Sequence, residues 1–357
     1  MTARDERFDT LTPAFKVRIN GAELEQDALS DVIAITVLDD VDAMSMCVLT
    51  LKGWDGVEMK VKWMDSALFD EGNPIEIELG YRDRTQLLFK GELTGLEPEF
   101  PEGQPPTLTV RGHDWRHRLA RERRTHSYLE VKDSDIASQV ARAAGMGARA
   151  EDSGVVHAYV LQHNQTDYQF LLARAARIGW EVFADGQDLV FRPRQVTSKP
   201  QVTLRREIEL LEFRPRLTTM GQSPRREVRG WSAKDKKELV ARAALGDEAS
   251  QMGGSASGGA IVDRAFSRAG SVVVDRPLRN AEEAGQLAKL GFREMGMGYV
   301  SAQGLCIGEP LLRAGTVATI EGLGLRFSGQ YYIGAAEHRF SPKTGYRTRF
   351  SAKRNAT

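Results

Sequence analysis

Phe89-Lys-Gly-Glu-Leu-Thr-Gly-Leu-Glu-Pro-Glu-Phe100 has a counterpart near the far end of the chain, Phe327-Ser-Gly-Gln-Tyr-Tyr-Ile-Gly-Ala-Ala-Glu-His-Arg-Phe340. An alternating apolar–polar run precedes each stretch, residues 75–79 in one case and 316–320 in the other. A run rich in threonine and basic residues follows each, at 107–111 and 346–350. Alternation with period two is the signature of a half-buried strand. The repeat therefore implies two similar β domains in one chain.

Working outward from the first stretch, more short β-rich runs appear. Phe15-Lys-Val-Arg-Ile leads into the tight-turn dipeptide Asn20-Gly21, and Val32-Ile-Ala-Ile-Thr-Val and Cys47-Val-Leu-Thr-Leu follow. Short strands at about ten-residue spacing, punctuated by turn signals, predict a barrel or sandwich. The middle of the chain changes period. Asp133-Ser134 can cap a helix with Ile136, Val140 and Ala143 on one side, ending at Gly145. Thr166-Asp-Tyr-Gln169 reads as a capping box. Tyr168, Leu171, Leu172, Ala175 and Ile178 then fall at helical spacing and Gly179 stops the helix. A hairpin follows, Trp180-Glu-Val-Phe, a turn at Asp185-Gly186, then Leu189-Val-Phe-Arg-Pro. Beyond it, Gly253-Gly-Ser-Ala-Ser-Gly-Gly259 reads as a flexible loop, and Asn280 as the start of a helix. The predicted fold class is α+β, mainly β. Its predicted domains are a first β domain over 1–112, a small α/β insert over 113–200 and a second β domain over 201–357.

The 357 residues carry 49 basic and 49 acidic side chains and are 41% hydrophobic. That excludes a disordered, collagen-like or simple polybasic nucleic-acid-binding chain. No uninterrupted apolar run exceeds four residues, so no membrane-spanning helix is expected. The opening Met-Thr-Ala-Arg-Asp-Glu-Arg-Phe-Asp lacks an apolar signal core, which predicts synthesis in the cytoplasm without classical secretion. Cys47 and Cys306 are expected to be buried free thiols. The zero net charge hides a polarity: residues 1–112 hold 11 basic and 22 acidic groups, and residues 113–357 hold 38 and 27. Segregated charge predicts docking surfaces between domains or between copies.

Residues with possible chemistry have plainer readings. His113 and His117 have metal-ligand spacing without a visible remaining shell, and a structural pair is favoured. Arg116, Arg118, Arg121, Arg123 and Arg124 form the densest basic run, with only Trp115 and Tyr128 nearby for base stacking. The run reads as a subunit or domain contact facing the acidic first region, with Arg121, Arg123 and Arg124 as candidate contacts. Gly296-Met-Gly298 and Gly322-Leu-Gly324 lack a dinucleotide-binding setting. Neither Gly-x-Ser-x-Gly nor His-Glu-x-x-His occurs, and the cysteines have no nucleophile context. No catalytic residue, metal, cofactor or nucleic-acid partner is predicted.

Thr166-Asp-Tyr-Gln-Phe-Leu-Leu-Ala-Arg-Ala-Ala-Arg-Ile-Gly-Trp-Glu-Val-Phe-Ala-Asp resembles the signature of the phage late-control protein D family, which comprises contractile-tail hub proteins and the N-terminal half of VgrG proteins. Asp167, Tyr168, Phe170, Leu171, Gly179, Phe183, Asp185 and Gly186 carry the match. Gly112-His-Asp-Trp-Arg-His-Arg-Leu, Ser134-Asp-Ile-Ala, Pro310-Leu-Leu-Arg-Ala-Gly-Thr-Val and Glu337-His-Arg-Phe-Ser are also similar to the family. The resemblance implies two tube-type β-barrel domains per chain, flanking the insert, in a homotrimeric ring with pseudo-sixfold symmetry. It implies a non-enzymatic baseplate hub that adapts a hexameric tail tube to a trimeric spike, within a virion tail or tail-like injection particle. Its partners would be the spike, the tube or tube-initiator protein and baseplate adaptor proteins. VgrG-type chains continue into a needle and this sequence stops at Thr357, so the spike is expected to be another polypeptide. Lys353 and Arg354 are candidate spike-facing contacts. The rival readings are a β-rich cell-wall or polysaccharide hydrolase, which needs two carboxylates about 5–9.5 Å apart, and a monomeric ligand-binding barrel.

Overall fold

The computed structural model describes residues 12–82, 84–232, 235–266, 270–274, 278 and 280–357. Twelve strands carry the architecture. The first six are β1 (Pro13–Ile19), β2 (Val32–Asp40), β3 (Met46–Lys52), β4 (Pro74–Tyr81), β5 (Arg84–Glu99) and β6 (Thr107–His113). The second six are β7 (Val202–Arg205), β8 (Leu210–Leu217), β9 (Val300–Ile307), β10 (Val317–Glu321), β11 (Gly329–Ser341) and β12 (Gly345–Arg354). In space the first set runs β2-β3-β6-β5-β4-β1 and the second runs β8-β9-β12-β11-β10-β7. Each strand of the second set thus occupies the place of the strand six earlier.

The correspondence extends to irregularities. The β5–β6 register slips between Leu93 and Gly95, and the β11–β12 register slips between Ile333 and Ala335. A second slip falls between Val32 and Ala34 on β2 and between Leu210 and Glu212 on β8. Such bulges bend a strand at a defined residue, so their recurrence marks equivalent positions. The turns entering β4 and β10 also match. Gly72 N–H donates to Leu93 O at 2.8 Å and Leu93 N–H to Asn73 O at 2.9 Å; Gly315 and Ile333 make the same exchange with Ile333 O and Thr316 O, both at 2.9 Å. Gly72 and Gly315 both have positive φ, 92° and 78°, which glycine adopts without strain. One pairing differs in sense: β1 is antiparallel to β4, and β7 is parallel to β10.

The two sets are joined edge to edge. β11 pairs antiparallel with β2, Ala335 opposite Asp40 through Phe340 opposite Ile35. With the short strand Ala22–Glu23 they form one thirteen-stranded sheet. Alternation decides the faces. On β12, Tyr346, Thr348, Phe350, Ala352 and Arg354 are buried, and Arg347, Arg349, Ser351 and Lys353 are exposed. The first core gathers Val17, Ile35, Leu49, Phe69, Ile77 and Val110, and the second Leu204, Ile320, Tyr331, Ile333 and Phe350. Phe340 and Tyr346 come from the second set yet pack in the first core, with Phe340 4.8 Å from Phe15 and Tyr346 5.7 Å from Tyr81 between ring centroids. Cys47 and Cys306 are buried free thiols, and Cys306 Sγ donates to Thr348 O at 3.5 Å.

Two segments stand outside the duplication. The first, between β6 and β7, holds helices Asp133–Ala143 and Asp167–Ile178, a ribbon of Arg123–Val131 with His157–Thr166, and a three-stranded sheet. Its second helix starts as the sequence predicts: Thr166 Oγ1 accepts from Gln169 N at 3.1 Å, Gln169 Oε1 accepts from Thr166 N at 3.2 Å, and Gly179 closes it at φ 72°. The first helix is capped at Lys132 rather than Asp133, because Asp133 is taken by His157 and Arg174. The other segment, 218–299, lies between β8 and β9. There helix Ala281–Met297 packs Ala284, Ala288 and Phe292 on the hairpin Arg225–Ser232 and Lys237–Ala244. The helix and its Asn280 cap match the sequence expectation, and the hairpin is additional to it.

The Gly/Ser stretch is not a free loop. Ser257 caps helix Gly258–Ala265, and Ser255 N and Ala256 N donate to Thr357 O at 2.9 and 3.1 Å. A Cβ at Gly258 would meet the Tyr299 ring at 2.6 Å, so close packing requires that glycine.

His338, opposite Val37 in the joint between the sets, is fully buried beside Tyr346 Oη at 2.8 Å. Burial, helped by the Arg313 charge and opposed by Asp39, lowers its pKa to about 3. The unfolded chain therefore takes up a proton that the folded chain refuses as pH falls from about 6.5 towards 3. Stability should drop with acid over that window by about 1.4 kcal/mol per pH unit from this group. His338→Gln is expected to remove that slope in urea titrations at stepped pH; an unchanged slope would contradict the assignment.

Candidate functional site

Ionic clusters lock the insert and the two strand sets to one another. Asp114 and Arg116, at the root of the insert, are buried together. Arg116 Nε lies 3.1 and 3.0 Å from the Asp114 carboxylate oxygens and Nη2 lies 2.6 Å from Oδ2. Arg116 Nη1 also donates to Val182 O at 2.9 Å, and Asp114 Oδ2 accepts from Ser45 N at 2.6 Å. One fork thus ties the turn between β2 and β3 to a strand of the insert. Nearby, Glu92 on β5 receives His117 Nε2 at 2.8 Å and Arg118 Nε at 2.8 Å. Burial pushes the Glu92 pKa up, and Arg118 with His117 brings it below its usual value.

The other parts are joined in the same way. Glu181 of the insert accepts from Tyr332 Oη on β11 at 3.1 Å and from Arg192 Nε at 2.8 Å. Burial raises the Glu181 pKa despite Arg192. Arg194 Nη2 reaches Asp42 at 2.5 Å, and Arg313 Nε reaches Asp39 on β2 at 2.7 Å. Each pair among the three parts has a charge-assisted link. The arrangement thus links the insert to both strand sets and the two sets to each other.

The residues singled out from the sequence fall in different places. Arg124 pairs with Asp167 at 2.7 Å, Arg123 Nη1 donates to Asn164 O at 3.0 Å, and Arg121 lies against His117 at 3.0 Å. All three are engaged within the insert and its root; the basic-run residues that reach the acidic first region are Arg118, through Glu92, and Arg116, whose Nη2 lies 3.4 Å from Ser45 Oγ. Lys353 is exposed on the sheet face opposite the core. Arg354 is 1% exposed: its Nη1 donates to Ser328 O at 2.6 Å and its guanidinium lies over Tyr331. It is a core residue of the second set and offers no surface to a spike. Thr357 is held to the Gly/Ser stretch by the Ser255 and Ala256 hydrogen bonds and by its own N–H, which donates to Ala256 O at 3.1 Å. His113 meets Thr94 and His117 meets Glu92, so the two do not share a site. Among the described residues, no group of three or more His, Cys, Asp or Glu could hold a metal ion. The residues that sequence reasoning missed, such as Asp42, Glu181 and Tyr332, meet partners far along the chain and carry no local signal.

Several strand edges of the large sheet are open among the described residues, those of β1 with Ala22–Glu23 and of β7 among them, and two more matter here. β8 is terminal in the sheet and pairs with β9 alone. β5 leaves β4 at Glu92, and its later half, Leu93 to Glu99, pairs with β6 alone. The sheet face opposite the core bears Arg214 and Arg216 on β8, Arg347 and Arg349 on β12 and Arg111 on β6. A recess of about 700 Å³ crosses the β11–β2 joint on this face, lined in part by Leu38, Met46, His113, Ala335 and Glu337.

The fold is similar to that of known tail proteins. The 43 kDa tail protein of prophage MuSo2 from Shewanella oneidensis is 14% identical, with TM-score 0.73 over 96% of this chain and 98% of that one. A tail protein from Neisseria meningitidis MC58 is 13% identical, with TM-score 0.69 over 96% of both. The E. coli c3393 protein is 12% identical, with TM-score 0.60 over 96% of this chain and 77% of that one; it is a type VI secretion component with structural similarity to the T4 tail proteins gp27 and gp5. Identities this low establish a shared fold. No curated protein matches the sequence. A family model described as the Alg8 N-terminal domain matches residues 9–342.

Proposed function

We propose that this chain, which belongs to the Alg8 N-terminal domain family, is a structural hub of a contractile tail or tail-like injection particle. The observation that carries this reading is the duplicated six-strand order, joined edge to edge through β11 and β2. Each set acts as one tube-like barrel unit, within the domains 1–112 and 201–357, around the insert 113–200. Three copies then present six similar units to a hexameric tube. The segment 218–299 occurs only in the second set, where the first set has the short turn 41–45. Surfaces built from it, and from the insert, recur once per chain and suit a trimeric spike. The work is mechanical: ring closure covers open strand edges, and the ionic joints keep adjacent units at a constant angle. Arg121, Arg123, Arg124 and Lys353 remain the surface positions proposed for partner contact. The particle assembles from cytoplasmically made subunits, with the spike, the tube or tube-initiator protein and baseplate adaptors as partners of this chain.

Tube subunits of the same particle, added to the purified chain, are expected to polymerise into tubes that carry it at one end in negative-stain micrographs. Tubes that form equally well without it and never bear it would overturn the proposal.

A further inference from the structure

Resting on the hub reading, we infer that the seam between copies is a strand pair, the later half of β5 in one copy against β8 of the next, with Glu97 facing Arg216 and Glu99 facing Arg214. The chain contains its own template. Inside one chain the second set contacts the first through β11 and β2. By strand order, β11 is the equivalent of β5, and β2 the equivalent of β8. Both of these equivalents are open edges. The bulges fix the equivalence to the residue. Ile333 and Ala335 match Leu93 and Gly95, so Glu337 matches Glu97 and Arg339 matches Glu99. Val32 and Ala34 match Leu210 and Glu212, so Leu38 matches Arg216 and Thr36 matches Arg214. In the chain Glu337 faces Leu38 and Arg339 faces Thr36. Transferring that register puts both acidic residues of one edge opposite both arginines of the other.

The register follows from the bulges alone, and the charges agree with it. Opposite charges directly across a strand pair stabilise it, and like charges oppose it. Glu97 already holds Arg111 at 2.6 Å, and Arg214 lies 3.2 Å from Glu212, so the seam shares these groups. The same transfer sets Pro98 opposite Pro215. Neither offers an N–H there, which leaves the seam reliant on its flanking pairs and charges. Prolines on open edges also discourage indiscriminate pairing. A second copy is therefore the occupant that fits both edges.

The test is a pair of cysteines in the full-length chain, Glu99→Cys with Arg214→Cys, oxidised in concentrated protein. Covalent oligomers of two or more chains are expected, and moving the second cysteine to Leu211→Cys should abolish them. Protein that stays monomeric after oxidation, or cross-links equally at both positions, overturns the register. Charge reversal gives a second readout. Glu97→Arg with Glu99→Arg should weaken self-association about tenfold or more at low salt. Adding Arg214→Glu and Arg216→Glu to the same chain should restore it, which damage to the fold would not allow. If the chain caps tubes while no seam cross-link forms, the seam is wrong and the hub reading stands. If the seam forms and tubes ignore the chain, the hub reading fails instead.

Discussion

Arg116→Ala is expected to destabilise the fold by about 3–5 kcal/mol, the cost of stranding one member of a buried ion pair. The guanidinium is fully buried, and without it the Asp114 carboxylate, itself 3% exposed, keeps only backbone donors. Val182 O loses its donor as well. Lysine is no substitute, because a single ammonium cannot span both carboxylate oxygens and the Val182 carbonyl as the planar fork does. Asp114→Asn with Arg116→Met removes both charges and should cost less than Arg116→Ala alone. Equilibrium urea unfolding followed by tryptophan fluorescence checks this. A loss below about 1 kcal/mol for Arg116→Ala would show that the pair is not the anchor of the insert.

Phe340→Ala comes next in size, at about 3–5 kcal/mol for deleting a buried aromatic ring. Its consequence differs from that of an ordinary core truncation. Phe340 sits on β11 of the second set and fills the first core beside Phe15, so its loss weakens the joint along with the core. Unfolding of the variant is expected to split into two transitions, the first set melting before the second. Phe350→Ala, inside the second core, should instead lower stability without opening the joint. A single transition for Phe340→Ala, with a loss no greater than that of Phe350→Ala, would contradict the role given to the joint.

The duplication was legible because strands alternate and because Phe100 and Phe340 occupy equivalent ends. The matching of Phe89 with Phe327 is two residues out of step. The register makes Leu93 equivalent to Ile333, so Phe89 corresponds to Gly329. Helix Asp167–Ile178 was legible because its cap, its apolar spacing and its terminating glycine are all local. The joint was not, since β2 and β11 lie some three hundred residues apart and nothing in either run names the other. The hairpin of Arg225–Ser232 and Lys237–Ala244 escaped notice because charged residues interrupt its apolar alternation. The basic run was legible as a run but not in its separate destinations. Five arginines in nine residues look like one surface, and the fold sends Arg116 inward, Arg118 to Glu92 and Arg124 to Asp167. Arg354 misled: a basic residue near a terminus reads as exposed, and pairing of β12 with β9 and β11 places it beneath the sheet.

An electron cryo-microscopy reconstruction of the assembled ring, calculated without imposed symmetry, bears most directly on whether one chain supplies two quasi-equivalent tube units. It should show six similar β units from three chains, with joints alternating between β11–β2 within a chain and β5–β8 across chains. A ring with one unit per chain, or alternate units that do not superimpose, would contradict it.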